Sequence, residues 1–136
     1  MAIDISDFFT TQKEKEGIWF EPKVKGVGIG IEFKVLGTAS DATIIAGEQY
    51  EKDSALAENE KDPVKKSHLN RDALVKRISA MVVDIRAKDE GEILIRGKPL
   101  TYSRENVEAI LMGSRAIRTE LLNAFMDSGN FMTRKD

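Results

Sequence analysis

The 136-residue sequence contains no cysteine and only one histidine. The absence of cysteine excludes disulfide bonds and thiolate chemistry, and a single imidazole excludes a histidine cluster that would hold a transition metal. Long apolar runs are missing as well, since none approaches the roughly 18 residues that a membrane-spanning helix requires. We therefore predict a protein with no metal, no cofactor and no membrane contact.

A strong charge of one sign is also missing, because the formal net charge is only -2. Binding to nucleic acid needs a dense basic face that neutralises several phosphates, so we predict no nucleic-acid partner. An apolar fraction of 41% and a charged fraction of 32% are typical of a well-solvated globular protein. The first residues contain neither the basic nor the continuous apolar segment of a secretory signal, so we expect a cytosolic location.

The length and the apolar patterns predict one domain over residues 1–136, of the α+β class and mainly α. Residues 1–16 are predicted to form an N-terminal arm with a short helical turn. Residues 17–38 are predicted to form a β-hairpin, because a β-rich segment is followed by a strand in which apolar and polar residues alternate. Residues 39–136 are predicted to be mainly helical and to form a bundle of about four helices.

Capping residues set the predicted helix boundaries. Ser40 or Asp41 begins the first helix, which runs to about Leu56, and residues 58–68 form an exposed connection. Asn70 caps the strongest predicted helix, which continues to Gly91. This helix is predicted from apolar residues that recur at spacings of three and four, namely Leu74, Ile78, Met81, Val82 and Ile85.

The carboxy-terminal part of the chain predicts a turn and two shorter helices. Residues 92–96 are apolar and extended, and Gly97-Lys98-Pro99 closes them as a turn. Ser103 caps one helix and Ser114 caps the next. In the arm, Phe8 and Phe9 are the predicted apolar anchors.

No set of residues predicts catalysis. Gly26-Val27-Gly28-Ile29-Gly30 lacks the spacing of a dinucleotide-binding loop and leads into a strand, so we interpret these glycines as a thin strand face against which another group packs. His68 lies in a basic polar stretch that is typical of solvated surface. A small hydrolase or phosphate-binding enzyme would depend on these features alone, and we predict a non-enzymatic protein with no catalytic residue.

Adjacent aromatic residues suggest a surface for a partner. Trp19 and Phe20 are neighbours on a predicted strand and point to opposite faces, of which a two-layer protein easily buries only one. Burial of both beneath the arm is an equal alternative. The predicted helices also carry more apolar surface than one small bundle needs, which self-association would absorb, although ordinary core packing is the simpler explanation.

Two separated stretches combine a hairpin pattern with a helix-cap pattern in a fixed order. The first is GIWFE at 17–21 followed by IEFKVLGT at 31–38, and the second is GKPLTYSREN at 97–106. The second is followed by Leu111, Arg115, Ile117, Leu121 and Asn130-Phe131. Together these stretches cover less than half of the chain. In this order they resemble the hairpin and the Tyr-Ser-capped helices of the tail assembly chaperones of long-tailed bacteriophages and prophages.

The resemblance implies a non-enzymatic protein that coats and solubilises the tape measure protein in the cytoplasm of the bacterial host. It also implies that the protein helps to recruit the tail tube protein. The alternative is a structural subunit of the virion tail or connector, in which the alternating strand pairs between chains to form a ring. A homo-oligomer is compatible with both hypotheses. The predicted partner-binding residues are Trp19, Phe20, Ile110, Leu121 and Phe125.

Overall fold

The computed structural model describes residues 2–132, which form an α+β fold that is mainly helical, as predicted. A 3-10 turn, Ile5–Phe8, precedes the first helix, and another, Ser128–Phe131, follows the last. The helices are α1 (Thr11–Glu16), α2 (Asp41–Glu58), α3 (Pro63–Met81), α4 (Arg104–Gly113) and α5 (Arg115–Met126). The strands are β1 (Ile18–Phe20), β2 (Lys23–Val24), β3 (Val27–Gly28), β4 (Ile31–Val35), β5 (Val82–Ala87), β6 (Leu94–Ile95) and β7 (Lys98–Pro99).

A three-stranded antiparallel sheet of order β1-β4-β5 forms one layer. Phe33 in the central strand lies opposite Phe20 of β1 and Ile85 of β5. Phe33 and Val35 are almost fully buried, because alternate residues of a strand point to the same face. The alternation in the sequence therefore identified the core-facing side of β4 correctly.

The predicted two-stranded hairpin is matched only in part. β1 and β4 pair as predicted, but the second strand does not run unbroken over 27–36. Instead β2 and β3 form a small separate hairpin, whose turn lies at Lys25 and Gly26. These residues have φ angles of 54° and 78°, and such positive values suit a tight two-residue turn.

The helix predicted from Asn70 to Gly91 is wrong at both ends. α3 begins at Pro63, where the Asp62 carboxylate accepts the N–H of Val64 at 2.9 Å, so most of the predicted connection is helical. Proline at the first helical position loses no hydrogen bond. α3 ends at Met81, and residues 82–87 form β5 against β4. Their β-branched side chains fit a pleated sheet better than a helix.

The other predicted caps are confirmed. The hydroxyls of Ser40, Ser103 and Ser114 each accept a backbone N–H three residues later, at 3.0–3.1 Å, and they begin α2, α4 and α5. The extended segment predicted before Gly97 is matched in part: Leu94–Ile95 form β6, the turn lies at Arg96 and Gly97, and Lys98–Pro99, predicted as part of the turn, form β7. Near the end of the described chain, Phe131 docks in the core with no exposed surface.

The hydrophobic core lies between the inner face of the sheet and the helices. α3 is central to the helical layer, since it packs against α2, α4 and α5. The largest of the fully buried apolar side chains come from both layers and include Phe33, Ile78, Met81, Leu111, Leu121, Phe125 and Phe131.

The N-terminal arm is attached through a buried glutamate. Glu14 of α1 is 6% exposed, and its carboxylate accepts hydrogen bonds from the hydroxyls of Thr10 at 2.7 Å and Thr38 at 2.9 Å. The N–H of Gly37 donates to the Glu14 carbonyl at 2.8 Å, and a side chain at Gly37 would collide with Glu14. α1 is thus fixed beside the start of α2. The predicted anchors Phe8 and Phe9, which precede α1, remain exposed, so that prediction is wrong.

Candidate protein-binding surface

α2 and the first half of α3 form a helical hairpin with little attachment to the core. α3 is the main packing partner of α2, and every residue from 61 to 70 is exposed. The buried residues of α2 are only Thr43, Ala46 and Ala57. These small side chains let the two helices approach closely, but they bury little apolar area. Much of the hairpin surface is therefore left for solvent or for a partner.

A groove of about 420 Å³ runs between α2 and α3 and reaches the start of α4. Its lining is mainly apolar and includes four alanines, Ala42, Ala46, Ala73 and Ala80. Ile45 also lines the groove, yet 67% of its surface is exposed. An apolar concave surface with an exposed isoleucine at its edge is typical of a site for an apolar segment.

Two leucines extend the apolar surface toward the tip of the hairpin. Leu56 follows Ile45 by 11 residues, about three helical turns, so both lie on one side of α2. Leu69 precedes Ala73 by one turn and lies on the groove side of α3. The two leucines are 67% and 41% exposed. The apolar surface thus continues beyond the groove along both helices.

Positive charge surrounds the groove. Lys76, Arg77 and Arg104 line it together with a single carboxylate, that of Asp53. Arg104 is itself paired with Glu108 at 3.5 Å, outside the groove lining. A bound segment that carries acidic residues beside its apolar ones would fit this arrangement better than a basic segment would.

Arg77 is held in place by two aromatic rings. Its guanidinium carbon lies 4.8 Å from the centre of the Tyr50 ring and 5.6 Å from that of Phe125. Both distances are within the range of a cation–π attraction. The buried Nε of Arg77 has no hydrogen-bond partner within residues 2–132. The rings therefore fix the arginine charge at the wall of the groove and connect the groove to the core.

The structure does not bring the five predicted partner-binding residues to one surface. Trp19 lies on the outer face of the sheet, where the Arg86 guanidinium stacks 3.9 Å from its ring. Phe20 and Ile110 are half-buried against the core. Leu121 and Phe125 are at most 1% exposed, so a partner could reach them only if the core opened. Trp19 and Phe20 point to opposite faces of the sheet, as predicted. Phe8 and Phe9 are themselves exposed, so they do not form a buried cover over the two aromatic residues.

The groove residues were not identified from the sequence, although a signal was present. Ala42 and Ala46 are one turn apart on α2, and Ala73 and Ala80 are two turns apart on α3. Small residues repeated at helical spacing let two helices pack closely and leave a shallow groove between them. The start of α3 was misplaced at Asn70, so the facing pair of long helices was not apparent.

The Glu21 side chain connects the glycine-rich segment 26–30 to Lys88, which follows β5. Any side chain at Gly28 would collide with the Glu21 carboxylate, which confirms a thin strand face at this position. That carboxylate accepts the N–H of Gly30 at 2.8 Å and pairs with the Lys88 ammonium at 3.1 Å. These contacts lower the pKa of Glu21, with the Gly30 hydrogen bond as the larger cause, and Glu21 raises the pKa of Lys88.

Features of other kinds of site are scarce over residues 2–132. His68 is exposed on α3, and no group of three or more potential metal ligands occurs in this range. None of the helices described combines the length and the apolar character that a membrane span requires. Comparisons of the chain with models of protein families, with curated proteins and with solved structures found no match.

Proposed function

We propose that the protein is a tail assembly chaperone of a long-tailed bacteriophage or prophage. In this proposal it is non-enzymatic, works in the cytoplasm of the bacterial host, and binds and solubilises the tape measure protein. It also helps to recruit the tail tube protein. The resemblance of residues 17–21, 31–38 and 97–106 to that family motivates the assignment. The single observation that carries a binding role is the exposed apolar groove between α2 and α3.

The groove suits one side of an amphipathic client helix. The alanine floor allows close approach, and the client would cover Ile45, Leu56 and Leu69. Covering each of these partly exposed side chains contributes about 1–2 kcal/mol. Because three such contacts must also offset the cost of immobilising the client, a single groove would bind a client segment only moderately tightly. Several copies along a long client would give a stable complex.

The groove lies at the base of the α2–α3 hairpin, next to the core. Its lining residue Ala46 belongs to the core cluster, and Ala42 and Ala80 pack against that cluster. The outward side of α2 carries Glu48, Glu51 and Lys52, which are exposed. These charged side chains would face water when the groove is occupied, and they would keep the complex soluble.

The proposal is tested by co-expression with the tape measure protein encoded in the same genome, followed by affinity capture and light scattering. The wild-type chain should keep the client in solution with several copies per client. Ile45→Asp should reduce the captured client about tenfold or more, because it places a charge in the apolar groove. Val27→Asp is the matched control, since Val27 is 68% exposed and lies on β3, outside the groove lining. Client that stays insoluble with the wild-type chain would contradict the proposal.

The alternative is a structural subunit of the tail or connector that assembles through its strands. β4 is paired on both sides, so the alternating strand itself has no open edge, and assembly would have to use β1 or β5. The edge of β5 is partly occupied: the Asp84 side chain accepts the N–H of Ile85 at 2.8 Å, and Tyr102 donates to the Val82 carbonyl at 3.0 Å. Such contacts oppose edge pairing. A structural subunit would remain in purified particles, whereas a chaperone would not.

A further inference from the structure

The N-terminal arm exposes apolar side chains that the fold leaves uncovered. Four large apolar residues occur between positions 2 and 9, and their exposed fractions are 74% for Ile3, 67% for Ile5, 41% for Phe8 and 66% for Phe9. We propose that this arm of one copy docks in the α2–α3 groove of a second copy. The inference goes beyond the proposed function, because it requires neither a client nor a phage.

The arm and the groove have matching dimensions. With Ile5–Phe8 in a 3-10 turn and the other residues extended, residues 2–9 span about 22 Å. The apolar surface on α2 runs from Ala42 to Leu56, 14 residues, and so covers about 21 Å of helix. An arm of this length can therefore place two or three of its apolar side chains along the groove.

The charges of the two surfaces are complementary. The arm carries Asp4 and Asp7 between its apolar residues; Asp4 is exposed and Asp7 is partly exposed. The groove lining has the cationic side chains of Lys76 and Arg77, and that of Arg104 paired with Glu108, against the single carboxylate of Asp53. Docking of the acidic apolar arm would cover the apolar area of the groove and would place the arm carboxylates near the cationic groove side chains.

The groove of the same chain is not where the arm lies. Glu14 and Gly37 fix α1 next to the start of α2, which is close to one end of the groove. Even so, no residue between 2 and 16 lines the groove, and Ile3, Ile5 and Phe9 remain exposed. The arm is thus presented outward from its attachment, and a second copy is the partner that carries the complementary surface.

Arm-to-groove docking is a head-to-tail contact. Each copy donates one arm and accepts another, so the association continues into a ring or an open chain of copies. The contact covers exposed apolar residues of the arm and of the groove at once. Symmetric pairing of two arms would instead stop at a dimer, so the size of the assembly distinguishes the two contacts.

The test uses the full-length chain without any client, in sedimentation velocity and multi-angle light scattering across about a thousandfold range of concentration. The wild-type chain should assemble as its concentration rises. Phe9→Asp and Ile45→Asp should each weaken assembly about tenfold or more, because each places a charge in the apolar contact. Val27→Asp should assemble like the wild type. All three residues are about two-thirds exposed, so none of the changes disturbs the core.

Mixing the two weakened variants gives the decisive result. Phe9→Asp retains an intact groove and Ile45→Asp retains an intact arm, so an equimolar mixture should form heterodimers and stop there. A wild-type chain that stays monomeric would overturn the proposal, as would assembly that neither variant weakens. A mixture that fails to form heterodimers would show that the contact is not arm to groove. Client capture uses the same groove, so Phe9→Asp separates the two roles: it should weaken assembly and leave client capture intact, because Phe9 lies outside the groove lining.

Discussion

The two halves of α3 differ in their surroundings although they form one continuous helix. The first half, up to Asn70, is exposed on every residue, whereas Ile78 and Met81 in the second half are fully buried. The second half closes the core against β4, α4 and α5. The α3 residues that line the groove, Ala73, Lys76, Arg77 and Ala80, also belong to the second half. The carboxy-terminal half of α3 therefore both closes the core and presents the groove, whereas the amino-terminal half carries exposed side chains such as Val64 and Leu69.

Burial of large side chains supplies most folding stability, and here it is concentrated at one end of the helical layer. The tip of the α2–α3 hairpin lies outside the core cluster, so few core contacts depend on it. Its own order comes from helix caps and from close packing of α2 on α3.

A matched pair of substitutions in α3 tests this difference directly. Ile78→Ala should lower the free energy of unfolding by about 2–5 kcal/mol, because it leaves a cavity in the core. Val64→Ala should change it by less than about 0.5 kcal/mol, since Val64 is 63% exposed. Urea unfolding followed by circular dichroism measures both. Comparable losses at the two sites would mean that the first half of α3 is packed as tightly as the second.

The cap of α3 should matter less than the core but more than the exposed valine. The Asp62 side chain accepts the N–H of Val64, so Asp62→Ala should destabilise the protein by about 1 kcal/mol. Asp62→Asn keeps the acceptor and should retain most of that stability. Hydrogen exchange should locate the loss at residues 63–70. If exchange accelerates equally in β4 and β5, the α2–α3 hairpin does not open separately from the sheet and the core.

The smallest expected effect is a pH-dependent change in stability caused by Glu21, which lies outside the α2–α3 hairpin. The pKa of Glu21 is lowered from its usual 4.5, so the Glu21 carboxylate stabilises the fold above that pH and loses its contribution as the pH falls through the lowered value. Thermal unfolding between about pH 5 and about pH 3 should show a shallower decline for Glu21→Gln than for the wild type. Lys88→Met should flatten the decline only in part, because the larger cause, the Gly30 N–H, remains. Identical slopes for all three proteins would exclude this role of Glu21.

The sequence predicted best those features that depend on local contacts. Ser40, Ser103 and Ser114 were identified as caps because a hydroxyl three residues before a helical N–H is a short-range signal. The buried face of β4 was identified for a similar reason, since alternation is local. Asp62 followed by Pro63 was also a local signal of a helix start. Proline breaks a helix in its interior but fits its first position, and at Pro63 the second property applies.

Features that depend on distant contacts were predicted poorly. Ile78, Met81, Val82 and Ile85 have helical spacing, yet β5 begins at Val82, because pairing with β4 outweighs that spacing. Leu121 and Phe125 formed a correct apolar stripe, but the sequence could not decide whether a core or a partner covers it. The groove requires α2 and α3 to lie side by side, which no local pattern reports.

In the proposed function, the α2–α3 groove is the surface that binds an apolar client. Hydrogen–deuterium exchange of the chain, alone and in complex with the tape measure protein, locates that surface. We expect added protection in α2 around Ile45 to Leu56 and in α3 around Leu69 to Ala80. Protection confined to the strands β1 and β5, or to α4 and α5, with no change in the hairpin, would contradict it.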